Sequence, residues 1–334
     1  MKKSHLNLFI TAIAASLLFT ECSPNQEYKV IDGFTQGTTY HIVYEYPGKD
    51  SLNSVIDEIL TSIDNSMSVY NPKSIVSVIN SGRDTTLDSL FINVFNKSVE
   101  INKISAGAFD ISGAPLFEAW GFGSGKRVTD MTKPVVDSLL QYVGMDKVKI
   151  ENGKLIKLKD GVRLNFNAIA QGYTSDVIAD EFDKRGIKNY LIEVGGEIYC
   201  KGYNSKGDEW SVGIDRPEEG NVIPGEEVQA ILLLKDRGLA TSGNYRKFIE
   251  ENGEKFSHTI DPRSGYPVKN RLLSATVIAP DAMTADALAT FFMVDGLERA
   301  KAFLLENPEI DAYLIYSEEG AFRSYITPGI KIKK

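Results

Sequence analysis

The sequence predicts an α+β fold, with mixed, largely antiparallel sheets and packed helices, arranged as one domain of two lobes. Two observations lead there. Apolar residues switch repeatedly between the two-residue spacing of strands and the three-to-four-residue spacing of helices, with no long block of either. Turn pairs such as Asn152-Gly153 and Asp160-Gly161 join short runs directly, without the crossover helices that a parallel sheet needs. No short repeat and no low-complexity linker divides the chain.

The elements follow in order. Tyr28 to Ile31 and Thr38 to Tyr46 alternate like a strand pair, and Leu52, Val55, Ile56, Ile59, Leu60 and Ile63 then recur at helical spacing. A second helix is marked by Leu87, Leu90, Phe91, Val94 and Phe95, and Gly107 is placed to stop it in the left-handed conformation. Pro134 suits the first turn of a short helix closing near Gly144. The two turn pairs then predict three short strands. Helical periodicity returns from Ala170 through Phe182 to Gly186, followed by strands at Tyr190 to Val194 and Ile198 to Lys201. The last third predicts strands at Val228 to Leu234 and Ser274 to Ala279, helices from Ala282 to about Met293 and from Leu297 to Leu305, and a hairpin around Ala312 to Tyr325.

Composition narrows the function. With 43% hydrophobic and 25% charged residues over 334 positions, the chain is an ordinary folded protein with enough apolar material for a core. A formal charge of -8 gives no positive field for phosphate backbones, so nucleic acid is not an expected partner.

The first 22 residues read as an export leader. Lys2 and Lys3 precede an apolar run from Leu6 to Phe19, which is shorter than the roughly 20 residues a membrane span requires. Cys22 stands where a lipoprotein leader is cut and its cysteine acylated, although Glu21 replaces the usual small residue before it. Ser23 to Gln26 then form a polar tether, and residues 23–334 form the domain. The expected location is a membrane-anchored lipoprotein facing the periplasm; a plain cleaved leader is the alternative. The other cysteine, Cys200, has no partner if Cys22 is lipidated, and it reads as a buried strand-end residue.

Candidate chemistry concentrates in a few strings. GFTQGTTY at 33–40, SMSVYNPKS at 66–74 and AFDISGAPLFEAWGFG at 108–123 mix glycine, aromatic and polar residues. Loops of that composition let backbone amides approach a phosphate or a ring. Between Tyr245 and Pro267, His258, Asp261 and Arg263 share a segment stiffened by two prolines. His258 beside a carboxylate is a candidate proton acceptor, whereas His41, in an alternating strand, reads as structural. Asp286 and Thr290 are four residues apart, which puts both oxygens on one helix face, the arrangement a hard cation such as magnesium accepts.

Taken together, TQGTTY, MSVYNPKS, AFDISGAPLFEAWGFG, NFNAIAQGYTSD, VGGEIYCKG, TSGNYRKF, HTIDPRSGYP and ADALAT run in an order that resembles the ApbE-type FAD:protein FMN transferases across nearly the whole mature chain. The resemblance implies FAD as substrate and Mg2+ as cofactor. It implies flavin and adenine contacts from Gln36, Tyr70 and Ala108-Phe109-Asp110, with Asn165, Gln171 and His258 also at the FAD. It implies metal ligation by the Ala168 backbone oxygen, Asp286 and Thr290. Gln36 replaces a more usual methionine, and Asn165 and Gln171 stand where an acid and a lysine or glutamate are frequent; both amides can still hydrogen-bond FAD.

The implied reaction moves FMN from FAD to a Ser or Thr hydroxyl of an exported flavin-accepting protein, such as an electron-transport subunit, and releases AMP. His258, tuned by Asp261, is the candidate base, with an aspartate near the metal as the other choice. Two further readings use the same residues: a metal-dependent FAD pyrophosphatase giving free FMN and AMP, and a non-catalytic flavin-binding lipoprotein.

Overall fold

The computed structural model describes residues 27–48, 50–83, 85–123, 125–218, 225–244, 248–251 and 254–333, without side chains at 248–251 and 254–257. The expectations for the leader and Cys22 lie outside the described residues, as does the Tyr245 to Lys247 part of the histidine string.

The centre is an eight-stranded sheet ordered β1-β2-β5-β6-β9-β14-β15-β16. Its strands are β1 (Tyr28–Thr35), β2 (Thr38–Glu45), β5 (Tyr190–Val194), β6 (Glu197–Lys201), β9 (Arg237–Gly243), β14 (Leu272–Ala279), β15 (Asp311–Glu318) and β16 (Ala321–Ile326). Each ladder in this sheet is antiparallel, as the hairpin spacing predicted. A smaller sheet of β7 (Trp210–Asp215), β8 (Val228–Leu234) and β17 (Lys331–Ile332) covers one face. Val212, Leu232 and Leu234 from it pack with Ile198, Leu239, Ile278 and Tyr313 of the large sheet.

The opposite face carries the helices. α6 (Ala170–Lys184) and α7 (Ala282–Glu306) lie on the sheet, and α1 (Asn53–Met67), α2 (Ile75–Asn80) and α3 (Ser89–Ile104) form a further layer beside them. α1 turns Ile56, Leu60 and Ile63 inward, the stripe its sequence spacing predicts. Phe91 of α3 meets Phe166 edge-on with ring centres 5.2 Å apart, and Phe91 and Phe166 are both fully buried. Burying such a side chain stabilises the fold by about 1.5–3 kcal/mol. α4 (Ala114–Trp120), α5 (Lys133–Leu140) and the hairpin of β3 (Val148–Glu151) and β4 (Lys154–Lys157) cap one end. Beside them run two small hairpins, β10 (Phe248–Glu251) with β11 (Glu254–Ser257) and β12 (Ile260–Asp261) with β13 (Tyr266–Pro267).

Several expectations need correction. Asn152-Gly153 is a two-residue turn with both φ positive, at 52° and 72°, but Asp160-Gly161 joins no hairpin. The segment after it runs as a buried irregular strand-like path, with Arg163 making a single bridge to Gly113, because Val162 and Leu164 sink into the core instead of pairing. The 108–123 string is not all loop. Pro115 at the start and left-handed Gly121 at the end enclose α4. In the 66–74 string, Ser74 caps α2 by accepting from the Ser77 N–H at 3.1 Å. The two predicted C-terminal helices are the two halves of α7, which breaks at Gly296 (φ 79°).

Candidate functional site

The N-terminus of α6 is built by a polar turn. Asn165 Oδ1 accepts from the Asn167 N–H at 2.7 Å, and the Asn165 N–H donates to the Ile111 carbonyl at 2.8 Å, fastening the turn to the segment after Asp110. Fully buried Phe166 and Ile169 anchor its base and leave Ala168 at the bend. Gly172 stands where its N–H would bond back to the Ala168 carbonyl; it donates to Asp286 Oδ2 at 3.2 Å instead. The Ala168 carbonyl is thereby left without that helical donor. A Cβ on Gly172 would lie 2.3 Å from the Ala282 carbonyl, so only glycine allows this approach.

The two central helices exchange carboxylates. Asp286 of α7 takes the Gly172 N–H of α6, while Asp176 of α6 takes the Ala282 and Met283 N–H groups at the start of α7, each at 2.8 Å. Burial pushes the Asp286 carboxyl up to about 7. Burial, then the nearby Asp281 charge, pushes Asp176 up to about 8. Thr290 lies one turn beyond Asp286 and its hydroxyl is 3.5 Å from Ser242 Oγ on β9. Among the described residues no cluster of three or more His, Cys, Asp or Glu could hold a metal. A cation here would meet one carboxylate, hydroxyls and a carbonyl, a set suited to a hard ion that keeps water or phosphate oxygens for its other positions.

The β1–β2 hairpin reaches the same place. Gln36 sits in its two-residue turn with φ 50°, and its amide donates to Thr174 Oγ1 of α6 at 2.7 Å. Gln171 lies over Gly195 in the β5–β6 turn, where an added Cβ would meet its amide nitrogen at 2.6 Å. The structure thus brings Gln36, Asn165, Ala168, Gln171 and Asp286 to the first turns of α6, with Thr290 one turn further along α7 facing Ser242.

A second group forms a cleft of 360 Å³ lined by Asp110, Asn102, Gly144, Asp146, Pro262 and Arg263 among others. Ala108 and Phe109 are buried whole, 1% and 2% exposed, with their N–H groups donating to Ser105 and the Phe109 carbonyl accepting from Asn102. Asp110 accepts from the Ser112 N–H and hydroxyl at 2.8 and 2.6 Å, and burial pushes its carboxyl up. Asp261 closes β12, three residues after His258. Both of its oxygens are held by Arg263, at 2.8 and 3.1 Å, and Arg263 also reaches Asp295 at the break in α7 at 2.5 Å. His258 is half-buried with its ring edge-on to Phe122, centres 6.2 Å apart. Tyr70 stands 66% exposed in the α1–α2 loop, its N–H donating to Ser68 Oγ at 3.3 Å. His41 pairs with Asp32 at 2.5 Å on the sheet, and Cys200 is fully buried, its thiol pushed up to about 12 by that burial.

Sequence reading missed Asp176, Thr174, Ser242 and the bridging part played by Arg263. Asp176 meets its partners 106 and 107 residues away, so no local spacing announces it.

Comparison with known proteins gives a consistent picture. Residues 36–314 match the ApbE family. An FAD:protein FMN transferase of Vibrio cholerae is 34% identical over 97% of this chain and 98% of its own. One from Haemophilus influenzae is 33% identical over 94% and 93%. The solved flavin transferase ApbE from Vibrio cholerae superposes with a TM-score of 0.81 at 34% identity, covering 91% of this chain and 98% of that one. The apo flavinyl transferase ApbE of Pseudomonas stutzeri gives 0.80 at 30%, covering 91% and 95%.

Proposed function

The chain belongs to the ApbE family, and from that membership we propose that it is an FAD:protein FMN transferase, using magnesium to move FMN from FAD onto a Ser or Thr hydroxyl of a partner protein and releasing AMP. The observation that supports the magnesium part is that Asp286, one turn before Thr290 on α7, accepts the Gly172 N–H of α6.

Ala168, Asp286 and Thr290 would hold the cation. When bound it would neutralise charge on the pyrophosphate oxygens. The rest falls to the chain's own groups. Burial disfavours a lone Asp286 carboxylate, so the site is poised to take a cation. Gln36, Asn165 and Gln171 offer amides for FAD hydroxyl and phosphate oxygens, and Asp110 lines a cleft of the size that takes part of a ligand. In the transfer, the acceptor oxygen bonds to the FMN phosphorus as the bridging phosphorus–oxygen bond to AMP breaks, and the acceptor proton passes to a base. His258 is that base in this reading, on the loop that the Asp261–Arg263 pair holds. A histidine-to-glycine mutant is among the solved forms of the Vibrio cholerae flavin transferase, which singles out a histidine in a related chain.

Cys22 would carry the lipid anchor, holding the enzyme at the periplasmic membrane face beside exported flavin-accepting subunits. The test incubates residues 23–334 with FAD, magnesium and a candidate acceptor domain and follows acceptor mass together with AMP. One FMN gained per AMP released supports the transferase. AMP with free FMN and no acceptor gain replaces it by the pyrophosphatase, and neither product leaves a flavin-binding lipoprotein.

A further inference from the structure

β1 is the outermost strand of the eight-stranded sheet, and among the described residues no strand pairs with its outer edge. The hairpin register fixes which groups that edge offers. Thr35 pairs with Thr38 across a two-residue turn, which makes them a hydrogen-bonded pair, and every second residue back along β1 follows suit. The Tyr46 N–H bonded to the Glu27 carbonyl at 3.0 Å confirms the parity at the far end. Phe34, Asp32 and Val30 therefore direct their N–H and carbonyl groups outward. Phe34 is 73% exposed and Val30 54%, an apolar pair on the open strand. Exposed edges of this kind are templates for another strand.

The edge also leads somewhere. β1 runs straight into the turn whose Gln36 rests on Thr174 at the start of α6, beside the Asp286 contact. A chain laid along β1 is thus carried to the proposed metal site. We propose that the β1 edge is the docking strand for the acceptor protein, which adds an extended segment to the sheet so that its Ser or Thr hydroxyl, just beyond Phe34, reaches the FAD phosphorus. This rests on the transferase reading above. The extent of the edge favours a substrate over a second copy of the chain. Eight residues span roughly 26 Å, and pairing along one strand buries well under the ~1,200 Å² of a stable complex. A partner that must leave after one transfer fits a contact of that size. Main-chain pairing would supply most of the affinity, with the exposed Phe34 side chain selecting the segment.

The test removes one outward donor. Val30→Pro deletes an N–H that points away from β2, so the ladder within the chain remains, and proline is tolerated at such edge positions. Val30→Ala is the side-chain control. With a purified acceptor domain, Val30→Pro is expected to lower kcat/KM for the acceptor at least tenfold, with FAD affinity unchanged and Val30→Ala near wild type. A Val30→Pro enzyme that transfers FMN at the wild-type rate overturns the proposal, as does a wild-type dimer that Val30→Pro converts to monomer. If Val30→Pro fails to fold, the wild-type enzyme is given an acceptor segment with alternate backbone amides N-methylated, and undiminished transfer to it overturns the proposal equally. A wild-type chain that labels no acceptor while cleaving FAD removes the transferase reading itself; labelling by wild type and Val30→Pro alike removes only the docking strand.

Discussion

At the scale of single residues, the buried carboxylates make the sharpest expectations. Asp286→Ala removes the carboxylate that accepts the Gly172 N–H and shares a helix face with Thr290. FAD cleavage with magnesium should fall about a hundredfold or more, the scale of losing one preorganised electrostatic group, with far-UV circular dichroism unchanged. A fully active variant would exclude the metal site. His258→Ala should lower kcat by roughly 10²–10⁴ while FAD affinity, read by titration, stays within a few-fold. Asp176 acts on stability instead. Its folded carboxyl is raised to about 8, so its contribution is fully present below the ordinary aspartate range and is lost as pH rises through about 8. Wild-type melting temperature should fall between about pH 4 and 8 more steeply than that of Asp176→Asn, and parallel profiles would refute the assignment. The Asp286–Thr290 pair was legible because both lie on one helix face. Asp176 was not, since its partners begin a helix about 100 residues later.

At the scale of elements, α7 is seated by glycines on both sides. A Cβ on Gly238 of β9 would lie 2.3 Å from the Ala282 nitrogen, and one on Gly172 of α6 would lie 2.3 Å from the Ala282 carbonyl. Neither contact is with a flexible side chain, so relief requires moving the helix. Gly238→Ala should destabilise by about 1–3 kcal/mol in denaturant titration and weaken magnesium affinity, because Asp286 and Thr290 shift with the helix. Unchanged magnesium affinity in a destabilised Gly238→Ala would separate packing from ligation. Elements with clear periodicity, such as α1, α6 and β15–β16, were readable within a few residues. α2 and α4 were hidden because six and seven residues are too short to show a helical stripe. β9, reading RGLATSG, lacks alternation because α7 covers one face and the small sheet the other.

At the scale of the whole molecule, the candidate site draws on segments from Gln36 to Thr290, so ligands that bind it brace nearly the entire chain. FAD with magnesium, at a hundred times its Kd, should raise global stability by about 2.7 kcal/mol, seen as a single shifted transition. Chelating the metal should abolish most of that shift, and an FAD effect indifferent to chelation would place the flavin elsewhere. Fold class and family were legible in one sequence because ordered short motifs and hairpin spacing survive without contacts. The positions of the carboxylate exchange were not, because they arise only when distant segments meet. That exchange also bears on how the protein is made. Synthesis delivers α6 well before α7, so until about the last sixth of the 334 residues emerges, α6 has no Asp286 on its Gly172 amide and Asp176 has no helix to cap. A truncated product therefore carries a buried-type acid without its helix and lacks Asp286 and Thr290 altogether. Such a fragment gives quality-control proteases an unfinished substrate.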